Sequence, residues 1–305
     1  MLCSAIRPVS RSCLLGESPF WHPIDQVLYW CDIPGQSLHR LDPVTEQEQA
    51  WQLPWEPGCV VPAAEGGLWV ALRDGVHRFD PLVGQCVELL AAAPYDVRQE
   101  RFNDGKCDPQ GRFWVGTLYE PRDKLLASLY RLDPNGFKAC ASGVTTANGL
   151  AWSVDGRTMY WSDTKAHRID AFDVDPAAGA ISRRRVFATF PLRHPEQSLE
   201  TYGGRPDGAA MDQEGGYWVA MYEGARLLRL NASGHVTDEI ALPVQCPTML
   251  TFGGEDLRTL YVTTASYNRP AAELLAQPWA GRVLSMRVAV AGLAAPLARR
   301  LCPLR

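Results

Sequence analysis

Short apolar and β-branched runs, each set off by a tight turn, recur along the whole chain. The copies are HPIDQVLYWCDI, AAEGGLWVAL, DPQGRFWVGTL, SVDGRTMYWSDT, DQEGGYWVAMY and GGEDLRTLYVTTA. Turn residues followed by aromatic and β-branched residues predict strands. The third residues of these runs are Trp30, Val70, Val115, Trp161, Val219 and Val262, spaced by 40, 45, 46, 58 and 43 positions. A further strand-like run follows each copy: SLHRLDP, GVHRFDP, SLYRLDP, IDAFDVDP, LLRLNASG and RVLSMRV. Four of these end in an Asp-Pro stop or a near equivalent. No helical heptad pattern competes with this reading.

A period near this length, built from short strands and turns, is the signature of a propeller blade. Six copies predict an all-β fold, a six-bladed β-propeller with four-stranded blades around a central channel, and residues 1–305 as one domain. The long fourth spacing holds an insertion at 191–207. A second insertion, SYNRPAAELLAQPWAG (266–281), carries the helix-favouring Ala-Glu-Leu-Leu-Ala.

Composition narrows the function classes. Of 305 residues, 46% are hydrophobic and 21% charged, and the net charge is −4 with mixed signs, which argues against a nucleic-acid partner. The apolar stretch VAVAGLAAPLA is too short to cross a bilayer, so no membrane role is expected. Nine cysteines without a C-x-x-C pair, and no apolar leader in MLCSAIRPVSRS, predict a reduced cytoplasmic protein. We expect a monomer or weak homo-oligomer.

The repeat also serves as a ruler. Eight residues before the turn glycines Gly111, Gly156 and Gly215 stand Asn103, Asn148 and Asp207. The same count from Asp25, which takes the turn position in the first copy, gives Glu17, and from Gly66 and Gly254 it gives Gly58 in the second copy and Cys246 in the sixth. In a propeller this position starts the innermost strand, so its side chains form a ring at one channel mouth. Two carboxylates and two amides offer hard oxygen ligands suited to one divalent cation. Asp104 and Asp108 read as residues that satisfy turns and backbone. Tyr119, Glu120, Asp163, Tyr222 and Glu223, which follow the second strands, form a predicted polar rim with Arg101. Nucleophile-elbow and H-E-x-x-H motifs are absent.

The segments LLGESPFWHP, RFNDGKCDPQGRFWVGT, NGLAWSVDG and PDGAAMDQEGGYWVA resemble the regucalcin/gluconolactonase family, which includes luciferin-regenerating enzymes. The similarity runs from about residue 14 to about 288. It implies a six-bladed propeller that hydrolyses a sugar lactone of gluconolactone type to the aldonic acid. It implies a single divalent ion (Ca, Mn, Zn, Mg or Fe(II)) held by Glu17, Asn148 and Asp207. Substrate-binding positions fall on Arg101, Asn103 and Glu120, and Asp207 is the expected water-activating base. The run GTLYEP departs from the paired acids of many members, because Pro121 replaces the second acid. The alternative the resemblance carries is a calcium-binding regulatory propeller without turnover.

Overall fold

The computed structural model describes residues 4–300. Cys3 and Cys302, and the ends of the predicted domain, lie outside them. Six four-stranded antiparallel sheets form the blades of a six-bladed propeller. The innermost strands are Gly16–His22, Pro57–Pro62, Glu100–Cys107, Ala147–Trp152, Arg205–Met211 and Pro247–Gly253. Each touches the next around the ring, and the last touches the first.

The sixth blade closes the circle. Its three C-terminal strands, Pro247–Gly253, Thr259–Thr264 and Leu284–Arg287, take Arg7–Pro8 from the N-terminus as the outer strand. The Ala-rich insertion forms a short helix, Ala271–Ala276. The insertion after Thr189 contains no helix or strand up to Arg205.

The core lies between blades. Trp114, Leu129 and Tyr119 of blade 3 pack with Trp152, Met159 and Trp161 of blade 4. Trp30, Trp114, Trp161 and Trp218 are all fully buried. Burying an apolar side chain of this kind stabilises the fold by roughly 1.5–3 kcal/mol. Turn aspartates anchor two of these indoles. Asp108 accepts from Trp114 Nε1 and Asp212 from Trp218 Nε1, and both also accept backbone N–H groups of their own turns. Asp108 is therefore a structural turn residue, as its sequence setting predicts.

All six innermost strands carry a register shift near their start. The shifts fall at Glu17/Phe20, Pro57/Cys59, Phe102/Gly105, Asn148/Ala151, Pro206/Ala209 and Pro247/Met249. A bulge leaves residues outside the ladder and re-aims their side chains. Asn103 and Asp207 lie inside such a bulge, while Glu17 and Asn148 are the last paired residues before theirs.

Candidate active site

Glu17, Arg101, Asn103, Asn148 and Asp207 line one cavity of about 290 Å³. Four of them carry their predicted ring position to the bulge. Gly58, the second-copy position, has no room for a side chain, since a Cβ would meet Phe102 O at 2.4 Å. In blade 6 the bulge holds Thr248, which donates to Gly16 O, whereas Cys246 precedes the strand. The count of eight falls short there because the turn before Thr259 is longer.

One device fixes Glu17 and Asn148. At the end of the second strand of blade 1, Asp32 accepts the N–H groups of Leu14 and Leu15. In blade 4, Asp163 accepts those of Thr145 and Thr146. Each clamp holds the backbone just before the ring residue. Ser18 and Gly149, which follow the two ring residues, both adopt left-handed backbone (φ 50° and 61°). Asp163, expected on the rim, is thus a backbone clamp.

A hydrogen-bonded chain crosses three blades. Arg101 donates to Asn103 Oδ1 at 2.8 Å, and Asn103 Nδ2 donates to Asn148 Oδ1 at 2.8 Å. Asn148 Nδ2 donates to Asp207 Oδ1 at 2.5 Å and to Thr164 Oγ1 at 2.8 Å. The Glu17 carboxylate has little such support, a 3.2 Å bond from its neighbour Ser18 N–H. Burial pushes the Glu17 carboxyl well above its usual range, and the nearby Asp207 and Asp104 carboxylates add to this. Burial likewise pushes Asp207 up to about 8, with Arg205 opposing and Asp104 assisting. Asp104 is buried as well, accepts the Leu150 N–H at Oδ2, and leaves Oδ1 without a partner.

Three buried carboxylates, Glu17, Asp104 and Asp207, face one buried ammonium, Lys106, and Asp104 Oδ1 has no hydrogen-bond partner, so the acids themselves still favour a bound positive charge. A divalent cation supplies it, and Glu17, Asn148 Oδ1 and Asp207 provide hard oxygen donors. The residues present fit such an ion.

Glu120 is not among the residues lining this cavity. It is exposed and makes a two-point contact with Arg73, at 2.8 and 3.0 Å. Tyr119 is in the interblade core, and Glu223 pairs with Arg205 and Arg269. Of the predicted rim, Arg101 and Tyr222 line the cavity.

Sequence reasoning missed a set of cavity cations: Arg122, Lys165 and Arg205. Arg205 stacks over Tyr222 at 4.9 Å and pairs with Glu223 at 3.1 Å. Lys165 Nζ donates to Arg122 O, which braces the two loops against each other. A signal existed for Arg205, because R-x-D at 205–207 has the spacing of R-x-N at 101–103. His167 also lines the cavity. Burial lowers its pKa and keeps it neutral, held between Pro191 O and Tyr202 Oη.

The opposite ends of the same strands line a second cavity of about 460 Å³, apolar in character, with Phe20, Met211, Met249 and Phe252.

The SMP-30/Gluconolactonase/LRE-like region matches residues 15–266. The chain belongs to this family. It is 45% identical over 290 residues to 6-deoxy-6-sulfogluconolactonase of Pseudomonas putida, covering 95% of this chain and 96% of the relative. It is 36% identical over 283 residues to regucalcin of Oryctolagus cuniculus, with 90% and 91% coverage. Among solved structures, the calcium-binding protein regucalcin of Agrobacterium tumefaciens superposes with TM-score 0.89 at 25% identity, covering 97% of each chain. A luciferin-regenerating enzyme superposes with TM-score 0.86 at 27% identity, covering 97% of this chain and 99% of that one.

Proposed function

We propose that this protein hydrolyses a sugar lactone carrying an anionic substituent, of the 6-deoxy-6-sulfogluconolactone kind, to the open-chain acid. The lactonase class follows from family membership. The observation that carries the finer reading is the cavity itself, where a buried acid pair lies beside Arg101, Arg122, Lys165 and Arg205. The sulfonate in the name of the Pseudomonas relative is consistent with this excess of cations. A calcium-binding role without turnover would need the acids and amide but not the surrounding cations.

Glu17, Asn148 and Asp207 would hold one divalent ion. When bound, that ion supplies Lewis-acid polarisation of the lactone carbonyl and offsets oxyanion charge. Asp207 is the base. Beside the bound ion the Asp207 carboxylate would stay ionised, and Asn148 fixes one of its oxygens. Water adds to the carbonyl carbon as Asp207 takes its proton. The ring C–O bond then breaks, and the proton returns to the departing ring oxygen, which leaves as a hydroxyl. Arg101, held by Phe102 O and Asn103, has further N–H groups to orient sugar oxygens. Seven free cysteines among the described residues are in keeping with a reducing, cytoplasmic setting.

Acid release from the sulfonated lactone and from unsubstituted gluconolactone tests this reading. We expect kcat/KM at least ~10-fold higher for the sulfonated substrate, about 1.4 kcal/mol, with the advantage shrinking at high salt. Equal rates would remove the anionic subsite, and no hydrolysis of either would remove the lactonase reading.

A further inference from the structure

Blade 1 departs from its own repeat at a second cluster of donors. In blade 4, Asp163 clamps the ring strand, Trp161 fills the core, and Asp170 pairs with Trp161 across the ladder. Arg168 and Arg184 both pair with Asp170, and Arg184 lies over the Trp161 ring at 5.3 Å. The matching residues of blade 1 are Asp32, Trp30 and His39. Among the described residues His39 pairs with Glu48 rather than with an arginine. Cys13 comes from the N-terminal segment instead, with its sulfur 3.8 Å from His39 Nε2. One ligand atom each from Cys13, Asp32 and His39 lie within 4.8 Å of one another.

We propose that Cys13, Asp32 and His39 form a thiolate-bearing metal site for Zn²⁺ or a similar borderline-soft divalent ion, separate from the all-oxygen site in the channel. Bond lengths of ~2.3 Å to sulfur and ~2.0 Å to nitrogen put tetrahedral S and N ligands about 3.5 Å apart. The observed 3.8 Å needs only a small closure.

The surroundings are those of a metal ligand set. Glu48 Oε1 faces His39 Nδ1 at 3.4 Å, and Trp30 stacks on the ring at 5.1 Å. Nδ1 makes no hydrogen bond here, and a small approach of the Glu48 carboxylate would let it accept the Nδ1 proton and leave the Nε2 lone pair toward Cys13, the outer-shell arrangement of metal-bound histidines. Glu48 is itself fixed by the Arg11 N–H at 2.7 Å. Trp30 Nε1 donates to the Cys13 sulfur at 3.3 Å, a bond that favours thiolate. Asp32 Oδ2 accepts one N–H, from Leu14, and keeps a lone pair for an ion. Ser37 Oγ, 2.9 Å from Nε2, must turn aside when an ion binds, and is placed to become the fourth ligand.

Burial and the Asp32 and Glu48 carboxylates push the free thiol up to about 12, so without an ion it stays protonated. Ion binding sends that proton to solvent. The bound ion would tie the N-terminal segment to blade 1, two residues before Leu15, which lines the channel cavity. Glu48 and Arg11 also border a surface cavity of about 380 Å³.

Co²⁺ titration of the chelator-stripped full chain tests the site, because a thiolate ligand gives a near-ultraviolet sulfur-to-cobalt charge-transfer band and oxygen ligands do not. A Cys3→Ser/Cys302→Ser background removes two thiols outside the described structure. We expect the band in that background and in Glu17→Gln, and its loss in Cys13→Ser together with one bound ion per chain. Glu48→Gln should weaken Co²⁺ or Zn²⁺ binding at this site by about 10–100-fold. His39→Gln should also lose the band, which serves as the readout if Cys13→Ser does not fold. No band in the background protein, or an undiminished band in Cys13→Ser or His39→Gln, would overturn the proposal.

Discussion

Asn148 Nδ2 donates to Asp207 Oδ1 at 2.5 Å, joining the innermost strands of blades 4 and 5 across 59 positions of sequence. The bond orients the carboxylate proposed as base, and it makes ligation and water activation separable by substitution. Asp207→Asn retains an oxygen ligand and loses the proton acceptor. We expect kcat to fall by about 10²–10⁴-fold, as for loss of a general base, with metal still bound at higher ion concentration. Arg101→Ala should raise KM and leave ion affinity almost unchanged. Single-turnover rates and ion titrations on both variants check this division.

The ion should also govern the pH dependence of stability. Burial raises both Glu17 and Asp207 in the fold, Asp207 to about 8. Between an ordinary aspartate value and 8, the stripped native state therefore binds more protons than the unfolded chain, and stability falls as pH rises. Thermal melts of stripped protein should show Tm dropping from pH 5 to pH 8. Saturating divalent ion should remove most of that slope.

The cavity cations should discriminate between substrates. Lys165→Ala and Arg122→Ala remove positive charge and leave the acids in place. Each should lower kcat/KM for the sulfonated lactone by about 10-fold, near 1.4 kcal/mol, and change the unsubstituted lactone far less. Steady-state kinetics on the two substrates would reveal a uniform loss if these residues serve the loop alone.

Gly149 sits in left-handed backbone directly after Asn148. A Cβ there would meet Ser162 Oγ at 2.3 Å, Tyr217 Oη at 2.5 Å and Asp207 O at 3.0 Å. Gly149→Ala therefore combines backbone strain with a clash at the centre of the site. We expect a loss of about 2–4 kcal/mol in denaturant unfolding, in the range of strain and overpacking together, and weaker ion binding.

The fold was legible because each blade repeats the same turn and strand, and the turn glycine marks a fixed distance to the bulge. That ruler reached Asn103, Asn148 and Asp207 directly, and Glu17 through Asp25 at the turn. It landed on Cys246 rather than Thr248 where the blade 6 turn lengthens. Glu120 illustrates a different limit. Its partner Arg73 lies 47 residues away in blade 2, and a tertiary ion pair leaves no local pattern. Arg122 and Lys165 lie in turns whose sequences do not repeat between blades. The closure of blade 6 by Arg7–Pro8 joins opposite ends of the chain over two residue pairs, too short to give a periodic signal.

Lactone hydrolysis by chelator-stripped protein, with a divalent ion titrated back, tests the central claim most directly. Initial rates should fall to the uncatalysed background on stripping and return as the ion is restored. Glu17→Gln should require much more ion, because it removes one of the two carboxylates among the proposed ligands. Full activity in stripped protein, or an ion requirement unchanged in Glu17→Gln, would contradict a metal-dependent site built on Glu17, Asn148 and Asp207.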